Sequence, residues 1–341
     1  SKMIQIDLPT DRVQARVKYV DPKKYMTDYS LSPDGKRVLF CARGELFTAP
    51  TKGEGLIRQL TFDSGVREKF PNWSADGEEI YYWSDATGEE VLYRISAKGG
   101  ESSIIGDDNM GWNFPSMSSP DGKSVVYSNE ELELVVMDLK SGKKTVVDQG
   151  SWEINDYGWS ADGRFLTYSR PEPNYNNTVW IWDSKSHDIY AVTDDYTSSY
   201  NPVFDPEGKY LYFLSDRIAN PYLDGKEMTY ILDKRTMLYA VMLTDETESP
   251  FLSEADPSSG DEEWGEDEDG EDSGHGKKGK KGKRGKKDKE EKKEAVKVEI
   301  DFDGLSARIV PFPVAPGNYH SLSAVKNNVF YMSHQNRGMF N

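Results

Sequence analysis

A chain that cuts a bond or holds a metal must gather a few reactive side chains, and this one has few to gather. It carries one cysteine and four histidines among 341 residues. Nucleophilic catalysis requires a Ser or Cys beside a base that a third group orients, with oxyanion donors nearby. No Gly-x-Ser-x-Gly elbow occurs. His187 sits in a Ser-rich turn and His275 in a low-complexity run, while His320 and His334 flank one short strand. None has a catalytic context, so no catalytic residue is assigned. Cys41 follows Leu39-Phe40 and precedes Ala42, a strand in which a lone cysteine serves as a small buried hydrophobe. With one cysteine, an intrachain disulfide is excluded.

Metal sites need clustered ligands at set spacing. The run Asp301-Phe302-Asp303-Gly304 has the opening of a calcium loop but lacks its later Glu, and reads as a turn. Asp107-Asp108 and Asp194-Asp195 read as loop carboxylates, and the glycines are singly spaced turn residues that form no phosphate loop. No metal or cofactor is assigned. A net charge of -17 argues against a nucleic-acid partner, because phosphate binding needs a Lys/Arg surface. No apolar stretch approaches the roughly 18 residues that span a bilayer.

What the residues do build is a repeat. Ser32-Pro33-Asp34-Gly35-Lys36, Ser74-Ala75-Asp76-Gly77-Glu78, Ser119-Pro120-Asp121-Gly122-Lys123, Ser160-Ala161-Asp162-Gly163-Arg164 and Asp205-Pro206-Glu207-Gly208-Lys209 align, their glycines 42, 45, 41 and 45 residues apart. Pro presets φ for a tight turn, Asp bonds its own backbone, and Gly supplies φ > 0. Before each turn a strand ends on an apolar or aromatic residue such as Trp73, Trp159 or Phe204. After it come a second strand (Ile80-Tyr81-Tyr82, Val125-Val126-Tyr127), a third (Val91-Leu92-Tyr93, Val179-Trp180-Ile181) and a fourth (Lys144-Thr145-Val146-Val147). Four antiparallel strands per forty-odd residues predict an all-β fold, a β-propeller of six to seven blades. A sandwich with coincidental turns does not explain five evenly spaced copies.

The repeat is then interrupted. Eleven acidic residues lie between Glu254 and Asp272, and eleven Lys/Arg between Lys277 and Lys293. Such a stretch has almost nothing to bury and is predicted to be a solvated, disordered insertion. The expected organisation is blades one to five with N-terminal strands over 1–252, the insertion over 253–295, and a resumed sixth blade over 296–341. Val13 to Val20 reads as a strand completing a neighbouring blade. The chain starts at Ser1 and stops without a terminating element, so it reads as a piece of a longer protein.

Several non-repeating stretches together resemble the tricorn protease family, specifically its second, larger propeller. They include Arg16-Val17-Lys18-Tyr19-Val20, Ala42-Arg43-Gly44-Glu45-Leu46-Phe47, Gly65-Val66-Arg67-Glu68 and Ser84-Asp85-Ala86-Thr87-Gly88. Tyr210-Leu211-Tyr212-Phe213-Leu214-Ser215-Asp216-Arg217 belongs with them. The most distinctive are Ile300-Asp301-Phe302-Asp303-Gly304-Leu305, Arg308-Ile309-Val310 and Pro316-Gly317-Asn318-Tyr319. The resemblance implies a propeller that gates unfolded peptide substrates toward PDZ-like and serine-peptidase regions of the same parent chain. It also implies a homo-oligomeric parent and a cytoplasmic location, with an exported bacterial parent as the alternative. Two other readings stay open: a non-enzymatic protein-binding propeller, and the propeller cap of a prolyl-oligopeptidase-like hydrolase. Glu68, Asp85, Glu89, Glu90, Arg170 and Arg217 flank blade strands and are the candidates for a funnel-lining surface.

Overall fold

The computed structural model describes residues 21–335 apart from 54, 64, 107–110, 220, 224, 252–295 and 327. The expected strand Val13 to Val20 and the charged insertion therefore lie outside the described residues. The chain divides into two compact units, Ser1–Trp159 with Phe165–Tyr200, and Ser160–Arg164 with Asn201–Asn341.

The first unit holds four antiparallel sheets of four strands, each in simple sequence order. They are β1 to β4 (Met26–Leu31, Arg37–Ala42, Glu45–Pro50, Arg58–Gln59) and β5 to β8 (Glu68–Trp73, Glu79–Ser84, Val91–Ser96, Ser103–Ile104). Then follow β9 to β12 (Met117–Ser118, Ser124–Ser128, Glu133–Asp138, Lys144–Gln149) and β13 to β16 (Tyr157–Trp159, Phe165–Pro171, Asn177–Asp183, Ile189–Ala191). This is the predicted blade, four times over.

Side chains of a strand alternate between its two faces, and here both faces are buried. Ile80 and Tyr82 of β6 join Leu39, Cys41 and Leu46 of the preceding sheet in one core. Tyr81 and Trp83 join Val125, Tyr127, Val135 and Met137 of the following sheet in a second. Val126, Leu134 and Val136 then pack with Ile154, Leu166, Tyr168 and Trp182 in a third. The middle strands are therefore near-continuous apolar runs, as strands buried on both faces must be. Each fully buried large side chain contributes roughly 1.5–3 kcal/mol.

The turn between first and second strands is built the same way in four copies. Ser32, Ser74, Ser119 and Ser160 each donate Oγ–H to the Asp two residues on, at 2.7, 2.6, 2.6 and 2.6 Å. That carboxylate accepts the amide two residues later, at 3.0–3.1 Å. In the first three copies the Ser Oγ also accepts the amide five residues on. Gly77 closes its turn at φ 73, which a Cβ would disfavour. In the fifth copy Asp205 takes the serine's place and accepts the Lys209 amide at 3.2 Å.

In the second unit, β17 and β18 (Ser199–Phe204, Tyr210–Ser215) are followed by the hairpin β19 and β20 (Pro221–Leu223, Tyr230–Leu232). After β21 (Met237–Met242) the fourth strand of this sheet is β22 (Ile309–Pro311), giving the order β17-β18-β21-β22. This corrects one expectation. The charged segment falls between the third and fourth strands of the fifth sheet and does not interrupt a sixth unit. The hydrophobic pattern of the fourth strands is weak, two to six residues with exposed faces, so the sequence did not mark which segment completes the sheet. A last two-stranded hairpin, β23 and β24 (Tyr319–Val325, Asn328–Ser333), follows.

If the alternating cores hold the sheets together, Trp83→Ala should lower stability by about 3–5 kcal/mol, read as a shift in the urea midpoint at unchanged slope. An unchanged midpoint would contradict this packing.

Candidate functional site

The first strand of each sheet is an edge, and its sequence says so. Pro71 lies in β5 and Pro202 in β17, and a proline without an N–H is tolerated in a sheet only at an edge or bulge. Both occur at once in β5. Its register jumps from Lys69↔Trp83 to Asn72↔Tyr81, so Phe70 and Pro71 face one partner. Phe70 stands at φ 51, and Asn201 at φ 54 precedes Pro202 in the same way. Ser321 of β23 repeats the feature at φ 56, within a register shift between His320 and Ser323. Each such residue costs of order 1–3 kcal/mol.

The first strands are also stitched to one another. In the first unit Trp73 Nε1 donates to Ser30 O at 3.3 Å, Ser118 Oγ to Trp73 O at 3.0 Å, and Trp159 Nε1 to Met117 O at 3.3 Å. Asn72 Nδ2 adds a bond to Ser118 Oγ at 2.9 Å. Thus β1, β5, β9 and β13 run side by side. In the second unit Asn201 Oδ1 accepts the Leu322 amide at 2.5 Å. A groove of about 350 Å³ opens along the first strands, bordered by Thr27 to Ser30, Phe70 to Asn72, Pro115 and Ser116. No sequence signal named this groove, because its residues are ordinary strand residues whose convergence depends on stacking.

The flanking candidates prove mostly structural. Glu90 takes Lys69 in an ion pair at 2.6 Å, with the two side chains 13% and 4% exposed. Glu90 also accepts the Asn113 amide at 2.9 Å. Lys69 Nζ donates to Asn113 O at 3.0 Å and lies 3.7 Å from the Trp112 ring centroid. Burial pulls the Lys69 ammonium below its ordinary range, and Glu90 opposes that shift. The pair fixes the start of the Phe70 bulge. Glu89 points to a separate cavity of about 430 Å³, shared with Glu130, Glu131, Glu133 and Lys144.

Asp85 accepts the Arg67 amide at 2.8 Å and so closes a loop. Arg170 bridges Asp148 at 3.0 Å and Glu172 at 2.9 Å while stacking 4.1 Å over Trp180. In the second unit Arg217 lies over Tyr239, 4.8 Å from the ring centroid.

Glu68 does not line a funnel; it is 2% exposed. Its Oε2 stands 3.1 Å from Thr61 Oγ1, which is 3.2 Å from Glu45 Oε2. Burial pushes the Glu68 carboxyl up to about 7, and Glu45 and Asp63 add to the push. Cys41 is buried, its Sγ–H donating to Glu68 O at 3.0 Å, and burial raises the thiol as well. It is the small hydrophobe the sequence suggested.

The Asp301 loop is occupied by an arginine. Arg308 donates to Asp301 O, to Asp303 O at 3.0 Å, to Met242 O at 3.0 Å and to the Asp245 carboxylate. A guanidinium thus gathers the oxygens of this turn. Asp194 accepts the Tyr196 amide, and Asp195 O receives Asn174 and Asn176. Asp107-Asp108 and His275 lie outside the described residues. His187 caps a turn at φ 64 beside Trp182. His320 and His334 come together across the last hairpin with ring centroids 5.5 Å apart, and His320 Nδ1 is 2.9 Å from Ser321 Oγ. Among the described residues no carboxylate bonds His320, so the orienting third group of a catalytic triad is missing from this contact.

Two predictions follow from these buried charges. Lys69→Ala leaves Glu90 unpaired and should cost about 3–5 kcal/mol, whereas the double change Lys69→Met with Glu90→Gln should cost far less, measured by urea unfolding. A Glu with a raised native pKa binds its proton more tightly folded than unfolded. Its contribution is full below the unfolded carboxylate range and is lost as pH rises through about 7. The native chain should therefore lose a few degrees of melting temperature between pH 5 and pH 8, and Glu68→Gln should flatten that slope. An identical slope in both would contradict the buried carboxyl.

Comparison with known proteins agrees with this architecture. The Tricorn protease second beta propeller domain model matches residues 26–341. The tricorn protease homolog of Saccharolobus solfataricus is 25% identical over 345 residues, covering 98% of this chain and 27% of its own length. The tricorn protease of Thermoplasma volcanium is 28% identical over 218 residues, covering 60% of this chain and 20% of its own. The chain thus spans about a quarter of the length of these relatives. The crystal structure of the tricorn protease superposes with a TM-score of 0.75 at 20% identity, covering 98% of this chain and 29% of that one. That superposition shows the β-propeller fold. This chain belongs to the family of the tricorn protease second β-propeller domain.

Proposed function

We propose that this chain gates unfolded peptides to a serine-peptidase region carried elsewhere in its parent. The observation that carries the reading is the match itself: it covers this propeller over 26–341 and about a quarter of each tricorn relative. The structural features suit the task. A sheet buried on both faces by its neighbours is a stiff wall, since cores are packed to crystal density. The first strands, one of the two edges of each sheet, present backbone that such walls leave open. A passage bounded by them admits an extended chain and excludes a folded domain, so selection is steric first. The peptidase, its PDZ-like companion and a homo-oligomeric assembly are the partners this role requires. No helix among the described residues is long and apolar enough to cross a membrane, and a cytoplasmic setting fits the role.

The parent protease should cleave a short unstructured peptide and fail on the same sequence embedded between two folded domains, with the peptidase region alone cutting both. Equal turnover of the two substrates by the intact parent would overturn the gate. The isolated chain should release no product from fluorogenic oligopeptides, and sustained turnover by rigorously purified material would contradict a purely gating role.

A further inference from the structure

The last hairpin gathers two of the chain's four histidines on one face. Within it His320 stands opposite Met332. The ladder runs one step further, the His334 amide donating to Asn318 O at 3.2 Å. Successive side chains alternate between faces, so His320, Met332 and His334 share one face. Tyr319 and Tyr331 meet on the other, their ring centroids 4.7 Å apart. Diagonal neighbours on a face lie within reach of aromatic rings, and the two imidazole centroids are 5.5 Å apart. All three side chains are exposed, Met332 at 61%.

The ring nitrogens are already sorted. His334 Nδ1 lies 3.2 Å from Gln335 O. A carbonyl only accepts, so in the neutral ring Nδ1 carries the proton and Nε2 keeps its lone pair. His320 Nδ1 is 2.9 Å from Ser321 Oγ, a hydroxyl that can accept in the same way. Bonds of this kind fix the tautomer and the orientation of metal-bound imidazoles. Neither Nε2 has a hydrogen-bond partner among the described residues. Asn318 shares the face but is already engaged. Its Oδ1 accepts the Lys234 amide at 3.2 Å, and its Nδ2 donates to Asp233 Oδ1 at 3.2 Å and to His334 O at 3.4 Å. It therefore positions His334 and leaves the metal to others.

We propose that His320, Met332 and His334 form a copper site, the imidazoles binding through Nε2 and the Met332 thioether as third donor. A metal about 2.0–2.1 Å from each nitrogen holds two imidazole centres roughly 5 Å apart at a tetrahedral angle. The observed separation suits that arrangement. Among the described residues no three His, Cys, Asp or Glu gather in one group, so the third donor here is sulfur. That donor set selects the metal. Thioethers suit Cu(I), imidazoles suit Cu(II), and Cu(II) heads the divalent series in affinity. Calcium and magnesium need oxygen ligands, which this face does not offer. The site is independent of the gating reading.

The test uses the whole chain and copper alone. Cu(II) is titrated and followed by electron paramagnetic resonance, and Cu(I) is titrated without oxygen against a chromophoric chelator. One Cu(II) per chain should bind, with hyperfine splitting from two imidazole nitrogens. His320→Ala and His334→Ala should each weaken Cu(II) binding at least about tenfold. Met332→Leu should spare Cu(II) and weaken Cu(I) about tenfold. His187→Asn, in the other unit, should change neither. Because the three side chains are exposed, the metal-free variants should melt within about 2 °C of the native chain. Unchanged Cu(II) affinity in the double variant His320→Ala with His334→Ala would overturn the site. Unchanged Cu(I) affinity in Met332→Leu would remove the thioether and, with it, the assignment of copper.

Discussion

Everything in this molecule depends on strand alternation being used twice. Val125 and Val126 are neighbours in the chain, yet one packs toward the sheet before and the other toward the sheet after. The same holds for Ile80 and Tyr81. A sheet with two buried faces cannot stand alone, because half its apolar surface would be wet. The second and third sheets are therefore stabilised by both neighbours, and the strand edges are the surface left over. The first strands inherit this constraint. They pair on one side only, which is why Pro71 and Pro202 and the positive-φ residues Phe70 and Asn201 are allowed inside them, whereas Pro50 and Pro171 stand only at the ends of the middle strands β3 and β14.

That edge is held in order by a small set of polar bonds. Trp73, Ser118 and Trp159 occupy the same position, just before the turn, and each donates to the first strand of the preceding sheet. The Lys69–Glu90 pair pins the bulge of β5 from the other end. Such a buried pair is weak evidence for added stability but strong evidence for a fixed geometry, since breaking it strands a charge. The result, in the first unit, is a row of edge strands tied to one another, with β5 locally strained at Phe70.

The architecture was legible because turn chemistry repeats at fixed spacing and the middle strands are apolar on both faces. Both signals are local. The location of the interruption was not legible, since the strand completing the fifth sheet, Ile309–Pro311, is three residues long and lies far along the chain from its partner β21. Glu68 read as a candidate for a funnel-lining surface because nothing in the sequence shows that it is buried beside Thr61 and Glu45. Arg308 was noticed only as part of a family motif, and its hold on Asp245, Asp301 and Asp303 follows from tertiary contact alone. The groove at Ser116 was invisible for the same reason. A serine between Pro115 and Met117 carries no sign that its hydroxyl will be buried without a partner among the described residues.

The central claim is that substrate travels along the first strands. It is tested most directly by photo-crosslinking in the turning-over parent protease. Para-benzoylphenylalanine replaces Met117 of β9 in one sample and Ile104 of β8 in another, two positions of like exposure at 40% and 39%. A labelled peptide substrate should be captured at position 117 and not at 104, with capture falling as substrate is exhausted. Capture at 104 alone, or at neither position while cleavage proceeds, would contradict the account.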